Sequence, residues 1–249
     1  MATIVDRDRA RALVALLQRL FADENPTGAD TYLTEHARPK AIKSHVNAFC
    51  WYAAHLPAAG AVLEWGCSHE PDSCLMRATF GDAFELFACD VDSAGRFPKF
   101  RAFSRADYQR TADVVRLPYA DGHFDAVIGS GVLEHTATDY ESLLELRRVL
   151  KRGGLLVISY YPYAYSVHEW WLRRSKTPGY HQRRATPREL DVLLKRAGLV
   201  PFEMRYQSTL PDLVDDSVRA RVRGVVRKML PPPLRSPVLC CLARKVDWM

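Results

Sequence analysis

The sequence predicts an α/β protein built on an open, mostly parallel sheet. Three observations carry that prediction. The segment Gly60-Ala61-Val62-Leu63-Glu64-Trp65-Gly66 is a short apolar run between glycines, the pattern of a strand buried on both faces. Residues 72–80 follow with Leu75, Met76 and Phe80 at helical spacing, so a strand feeds a helix through a glycine turn, the first half of a βαβ unit. Two more apolar runs, Phe84 to Asp90 and Phe124 to Gly129, repeat the buried-strand pattern.

Composition narrows the class. At 249 residues the chain is long enough for one large domain with its own core, and its 48% apolar content is that of an ordinary globular protein. No run of about 18 apolar residues occurs, so no transmembrane helix is expected. The stretch Met1-Ala2-Thr3-Ile4-Val5-Asp6 lacks the apolar centre of a signal peptide. The cysteines, Cys50, Cys67, Cys74, Cys89, Cys240 and Cys241, form no C-x-x-C pair, and no histidine pair has zinc spacing. A reducing, cytoplasmic setting without a structural metal is the expectation. The net charge of +6 is modest for a nucleic-acid binder. Basic residues gather late, at Arg173, Arg174 and Lys176, at Arg183, Arg184 and Arg188, and between Arg219 and Lys228. They read either as solvated faces or as a surface for an anionic substrate, carrier or lipid.

Taken in order, residues 8–22 form an amphipathic helix with Leu13, Leu16, Leu17 and Leu20 inward, broken by Asn25-Pro26-Thr27-Gly28. A second helix is expected over 38–56, carrying Ile42, Val46, Phe49 and Leu56. Gly66 ends the first strand where a backbone can approach a ligand closely. Asp90 stands 20–25 residues beyond that turn, the spacing of an acid that accepts from both hydroxyls of a ribose. Residues 93–112 mix arginines with aromatic residues and give no assignable element. Thr138-Asp139-Tyr140-Glu141 reads as a capping box opening a helix, and Leu155 to Ser159 as a fifth strand. Thr186-Pro187-Arg188-Glu189 is a second capping box, followed by a strand over Val200 to Arg205. A basic helix is expected over 211–230, then Pro231-Pro232-Pro233 and a last strand from Val238 to Lys245.

Several of these segments resemble the class I S-adenosylmethionine (SAM) dependent methyltransferases. The run through Val62-Leu63-Glu64-Trp65-Gly66 is similar to that family's motif I, V-L-D/E-x-G-x-G-x-G, with Ser68 and Glu70 where the second and third glycines stand. Glu70-Pro71 implies a reshaped loop. Residues 113–127, Asp113-Val114-Val115-Arg116-Leu117-Pro118-Tyr119 through Phe124-Asp125-Ala126-Val127, resemble D-x-x-x-L-P-F-x-D-x-x-F-D-V-V nearly position for position. Val132-Leu133-Glu134-His135 resembles the V-L-E-H signature of the branch that includes quinone-biosynthesis methyltransferases, and Arg148 to Gly154 resembles R-V-L-K-P-G-G. The pattern T-P-x-E-L-x-x-L-L-x-x-A-G at 186–198 recurs in the same branch.

The resemblance implies a Rossmann-like, seven-stranded sheet of order 3-2-1-4-5-7-6, with helices on both faces. It implies a helical flap over residues 1–57 and a cofactor domain over 58–249, with substrate-side insertions at 160–185 and 206–235. The implied SAM contacts are Glu64, Gly66, Cys67, Ser68, Asp90, Val91, Asp113, Val114 and Ser130. In the family Asp113 and the Val114 N–H would meet the adenine. Tyr32, His36 and Arg38 lie where the flap would meet the ligand. His135 has two readings: a base that removes a proton from an acceptor hydroxyl, or a residue that positions its own loop. The acceptor is expected to be a small molecule, O-methylated and anionic or aromatic in character, because tyrosines, tryptophans and arginines crowd residues 160–185. A small aromatic core would use the same residues. A non-catalytic scaffold and an RNA methyltransferase are the alternatives, and peripheral membrane contact is the rival reading of residues 219–243.

Overall fold

The computed structural model describes residues 5–93, 95–112, 115–175, 181, 183–210, 212–215 and 217–246. Seven strands make one sheet: β1 Gly60–Trp65, β2 Phe84–Asp90, β3 Asp107–Arg110, β4 Phe124–Ser130, β5 Leu150–Pro162, β6 Leu199–Tyr206 and β7 Val238–Lys245. Their order is β3-β2-β1-β4-β5-β7-β6. The first five run parallel, and β7 inserts antiparallel between β5 and β6. This is the Rossmann-like order expected from the sequence. The order reverses beside β1, which leaves a crevice at the carboxyl ends of β1 and β4.

Strand alternation divides the core in two. Val62, Ala126, Ile128 and Val157 face one side, where α1 (Arg7–Glu24), α3 (Pro39–Ala53) and α4 (Pro71–Phe80) supply Leu17, Phe49 and Leu75. Leu63, Trp65, Val127 and Leu156 face the other, against α6 (Asp139–Val149) and α8 (Pro187–Arg196). Gly129 is required by this packing, because a Cβ there would lie 2.8 Å from the Trp65 ring. Helices α1 and α3 are therefore part of the central core. A short helix, α2 (Thr31–His36), stands between them, and Asp30 caps it by accepting the Leu33 N–H.

Several elements differ from the pattern-based expectation. Residues 93–112 contain α5 (Pro98–Ser104) and the four-residue edge strand β3. Strand β5 is longer than Leu155–Ser159, because it pairs with Phe124 before a register shift and continues to Pro162. Apolar periodicity is interrupted there by Lys151-Arg152-Gly153-Gly154. Thr138 does not make the expected capping box: its side chain accepts no helix N–H and instead hydrogen-bonds the Glu141 side chain, which holds that acid below its ordinary range. Thr186 and Glu189 make the full reciprocal pair. The basic helix, α9 (Val218–Met229), starts later than Asp212. Asp212 instead accepts the Val214 and Asp215 N–H groups in a turn. Residues 238–245 lie in the sheet, which removes the end of the 219–243 tail from membrane contact.

Candidate functional site

The site begins with the turn after β1. Gly66 has φ +64°, and its N–H and that of Cys67 both donate to the Cys89 carbonyl of β2. A Cβ on Gly66 would meet Val132 Cγ1 at 2.5 Å, so this position demands glycine for both conformation and space. Ser68 and Glu70, the two residues standing in place of glycines, adopt the left-handed conformation at φ 45° and 55°. The glycine-type backbone is thus kept and held by side chains. The Ser68 N–H donates to Asp90 Oδ2 at 2.7 Å, and Asp90 Oδ1 accepts from the Val91 N–H at 2.7 Å. The buried Glu70 carboxylate pairs with Arg101 at 2.7 Å and accepts from Ser104 Oγ. Burial raises the Glu70 pKa, although Ser104 and Arg101 oppose the shift.

Two buried acids lie beneath this turn. Glu64 accepts the Asp72 and Ser73 N–H groups at 3.2 and 2.6 Å, satisfying donors in the first turn of α4. Burial, then the neighbouring Asp72 charge, holds the Glu64 pKa well above the usual carboxylate range. Asp72 accepts from Tyr52 Oη at 2.6 Å and Ser130 Oγ at 2.8 Å, and it meets His45 Nε2 at 2.9 Å. Burial pushes Asp72 upward, but His45 and these hydrogen bonds outweigh it and leave the pKa lowered. One carboxylate therefore ties α3, α4 and the tip of β4 together.

Above these acids opens a cavity of about 600 Å³. Glu64, Gly66, Cys67, Ser68, Ser130 and His135 line it. Asp90 and Val91 are not among the lining residues, and Asp90 borders the cavity through the Ser68 turn that it fastens. Asp113 and Val114 lie outside the described residues. Tyr32 and His36 reach the cavity from α2, with the Tyr32 hydroxyl 3.2 Å from His69 Nδ1. Arg38 does not line it and pairs with Glu35. The volume suits a nucleotide-sized ligand, and Gly66 exposes backbone to it without a side chain, so the residues present fit SAM at this position.

The far wall carries groups to which sequence reasoning gave no role. The Glu134 side chain is 3% exposed, whereas that of His135 is 64% exposed. Glu134 Oε2 is buried without a hydrogen-bond partner. Burial pushes the Glu134 carboxyl up to about 7, with the Glu169 charge adding to the shift. Partial burial and then His181 lower the His135 pKa. His181 lines the same cavity, and its Nδ1 lies 3.0 Å from Glu169 Oε1. Glu134 was legible only as the neighbour of His135 in the V-L-E-H run. The sequence marked His181 only as part of the substrate-side stretch 160–185, and nothing local paired it or Glu169 on α7 (Val167–Arg174) with His135, from which His181 is 46 residues distant.

Comparison with known proteins bears on this site. Residues 63–158 match the family described as Methyltransferase domain. The chain is 34% identical over 107 residues to a ubiquinone biosynthesis O-methyltransferase of Cereibacter sphaeroides, covering 40% of this chain and 43% of that protein. It is 42% identical over 60 residues to an uncharacterised methyltransferase of Mycolicibacterium gilvum, covering 24% of each. The chain thus spans less than half the length of these relatives. The crystal structure of the 1,6-didemethyltoxoflavin N1-methyltransferase of Burkholderia thailandensis, with 1,6-didemethyltoxoflavin and S-adenosylhomocysteine bound, superposes with a TM-score of 0.58 at 19% identity. That superposition covers 94% of this chain and 88% of the other, a likeness of fold. Residues 63–158 thus match a methyltransferase domain, and the sheet order β3-β2-β1-β4-β5-β7-β6 is that of a Rossmann-like methyltransferase fold.

Proposed function

We propose that this protein transfers a methyl group from SAM to a small-molecule acceptor, with oxygen as the methylated atom. The observation that carries the reading is the cavity of about 600 Å³ at the carboxyl ends of β1 and β4, walled by Gly66–Ser68 on one side and Ser130–His135 on the other. The cofactor supplies a methyl already activated on a sulfonium. The protein's task is then to hold an acceptor in line with that methyl, and such positioning contributes about 7–11 kcal/mol.

The turn from Gly66 to Ser68 borders the amino-acid end of the cofactor, with Glu64 bracing it from below. Asp90 takes the ribose with the acceptor capacity left after its bonds to Ser68, Val91 and Asp92. Asp113 and the Val114 N–H take the adenine, and Ser130 borders the methyl-transfer region. His135, exposed at the cavity wall, receives the acceptor's hydroxyl proton. Helices α1 to α3 cover the cofactor side, and Tyr32 and His36 border the ligand. Aromatic residues of 160–175 shape the acceptor side. The resemblance to a ubiquinone biosynthesis O-methyltransferase favours an oxygen acceptor. Helix α9 exposes Val218, Val222, Val225, Val226 and Met229 among basic positions, which suits peripheral contact with an anionic membrane. Among the described residues, no helix is long and apolar enough to cross a membrane.

Calorimetric titration with SAM tests the reading. A saturable one-to-one isotherm that weakens at least tenfold in Asp90→Ala is the expected result. Absence of binding by the folded wild type would instead indicate a scaffold that keeps the fold without the cofactor.

A further inference from the structure

The geometry points to a divalent-metal site formed by Glu134, His135 and His181 in the wall of the cavity, of the kind that takes zinc. Among the described residues, one group of metal-ligating side chains converges in this way, with one ligand atom from each residue lying within 4.8 Å of the others. The set of one carboxylate and two imidazoles is a zinc set, and three protein ligands leave a further position open. That position faces the cavity, which all three residues line.

Three further observations support a built site. Glu134 is more than nine-tenths buried and lines the cavity, yet its Oε2 has no partner. A buried carboxylate oxygen without a donor is costly, and a cation would satisfy it. His181 is held as metal-bound histidines are held: its Nδ1 meets the buried Glu169 carboxylate at 3.0 Å, which leaves Nε2 for the ion. Glu169 Oε2 also accepts the His181 backbone N–H at 3.2 Å. Arg183 ties the segment bearing His181 to the segment bearing His135, donating to the carbonyls of Thr136 and Ala137.

Tetrahedral zinc with nitrogen and oxygen ligands at about 2.0–2.1 Å sets neighbouring ligand atoms about 3.4 Å apart. Glu134 Oε1 and His135 Nε2 are 3.9 Å apart. A small turn of the exposed His135 ring closes that gap. Within the proposed methyl-transfer reading, on which this role rests, the open position suits an oxygen of the acceptor. A His135 committed to the ion through Nε2 would keep only Nδ1 for the acceptor's proton.

The test uses the full chain, free of any histidine tag, folded and stripped with a chelator. Titration with zinc should show one tight equivalent, and cobalt should give a visible d–d band that zinc abolishes. His181→Ala and Glu134→Gln should lose the cobalt band and weaken zinc binding at least tenfold. Glu169→Gln, which touches only the back of His181, should weaken it about 10- to 100-fold. Circular dichroism establishes that each variant is folded, and Glu169→Gln serves where the other two are not. A wild type that binds no zinc, or zinc binding undiminished in the folded variants, overturns the inference. Parallel titration with SAM separates the two proposals. Zinc binding lost with SAM binding kept refutes only the metal site; SAM binding lost with zinc binding kept refutes only the methyl-transfer reading.

Discussion

The Asp90 carboxylate accepts the Ser68 backbone N–H at 2.7 Å, so the tip of β2 fastens the turn that leaves β1. The neighbouring Val91 N–H binds its other oxygen. The acid is therefore structural before any ligand arrives. Asp90→Asn keeps the shape but presents one carbonyl oxygen to three N–H donors, those of Ser68, Val91 and Asp92. It should lower stability by about 1–3 kcal/mol, read by urea denaturation, and weaken SAM binding as well. A variant as stable as wild type would mean the bond to Ser68 is not held in solution.

Ser68 and Glu70 both occupy left-handed backbone, but glycine at the two positions should have different effects. Ser68→Gly removes conformational strain and adds unfolded-state entropy, so stability should change by less than about 1 kcal/mol. Glu70→Gly removes the same strain, yet it leaves Arg101, 12% exposed, without its buried partner. Breaking such a pair costs about 3–5 kcal/mol. Equal effects at the two positions would refute the view that the Glu70 side chain compensates for its own backbone.

Gly66→Ala combines φ +64° with a Cβ 2.5 Å from Val132 Cγ1. Val132→Ala in the same chain should recover the steric part and leave a residual loss of about 1–2 kcal/mol from the backbone. Thermal melts of the two single variants and the double variant measure this. A strictly additive pair would contradict the packing described.

Acid sensitivity should trace in part to Asp125. Its partial desolvation acts upward, but Lys151 Nζ at 2.7 Å and the Ala61 N–H at 2.9 Å outweigh it and lower its pKa. A carboxyl with a lower pKa in the folded chain contributes stability above its unfolded value of about 3.9. That contribution disappears as pH falls through the folded value. Asp125→Asn should thus be less stable than wild type at pH 7, with the difference shrinking below pH 4. A difference independent of pH would exclude the charge as its source.

Much of the architecture was legible locally. Short apolar runs ending in Gly66, Asp90 and Ser130 mark parallel strands, since each must be buried on both faces. The capping box at Thr186 and the last strand, Val238–Lys245, could be read because caps and strand patterns act between near neighbours. The edge strand β3 was not legible: half-exposed and four residues long, it has no apolar pattern of its own and owes its conformation to pairing with β2. The described residues 212–215, expected at the start of the basic helix, are not helical, and Asp212 holds them through the Val214 and Asp215 N–H groups and its contact with Asn47 of α3.

By itself the sequence determined which segments are strands and helices and the turn that needs glycine at 66, because steric and burial constraints on short segments need no distant partner; the order of the strands was implied only by the family resemblance. Only the tertiary structure decided what the acids do. Glu64, Asp72 and Asp90 became fasteners between elements, and Glu134 was buried beside His135 and brought to His181. Hydrogen-bond partners and electrostatic neighbours are set by distances through space, and residues dozens of positions apart along the chain meet only once the sheet has closed.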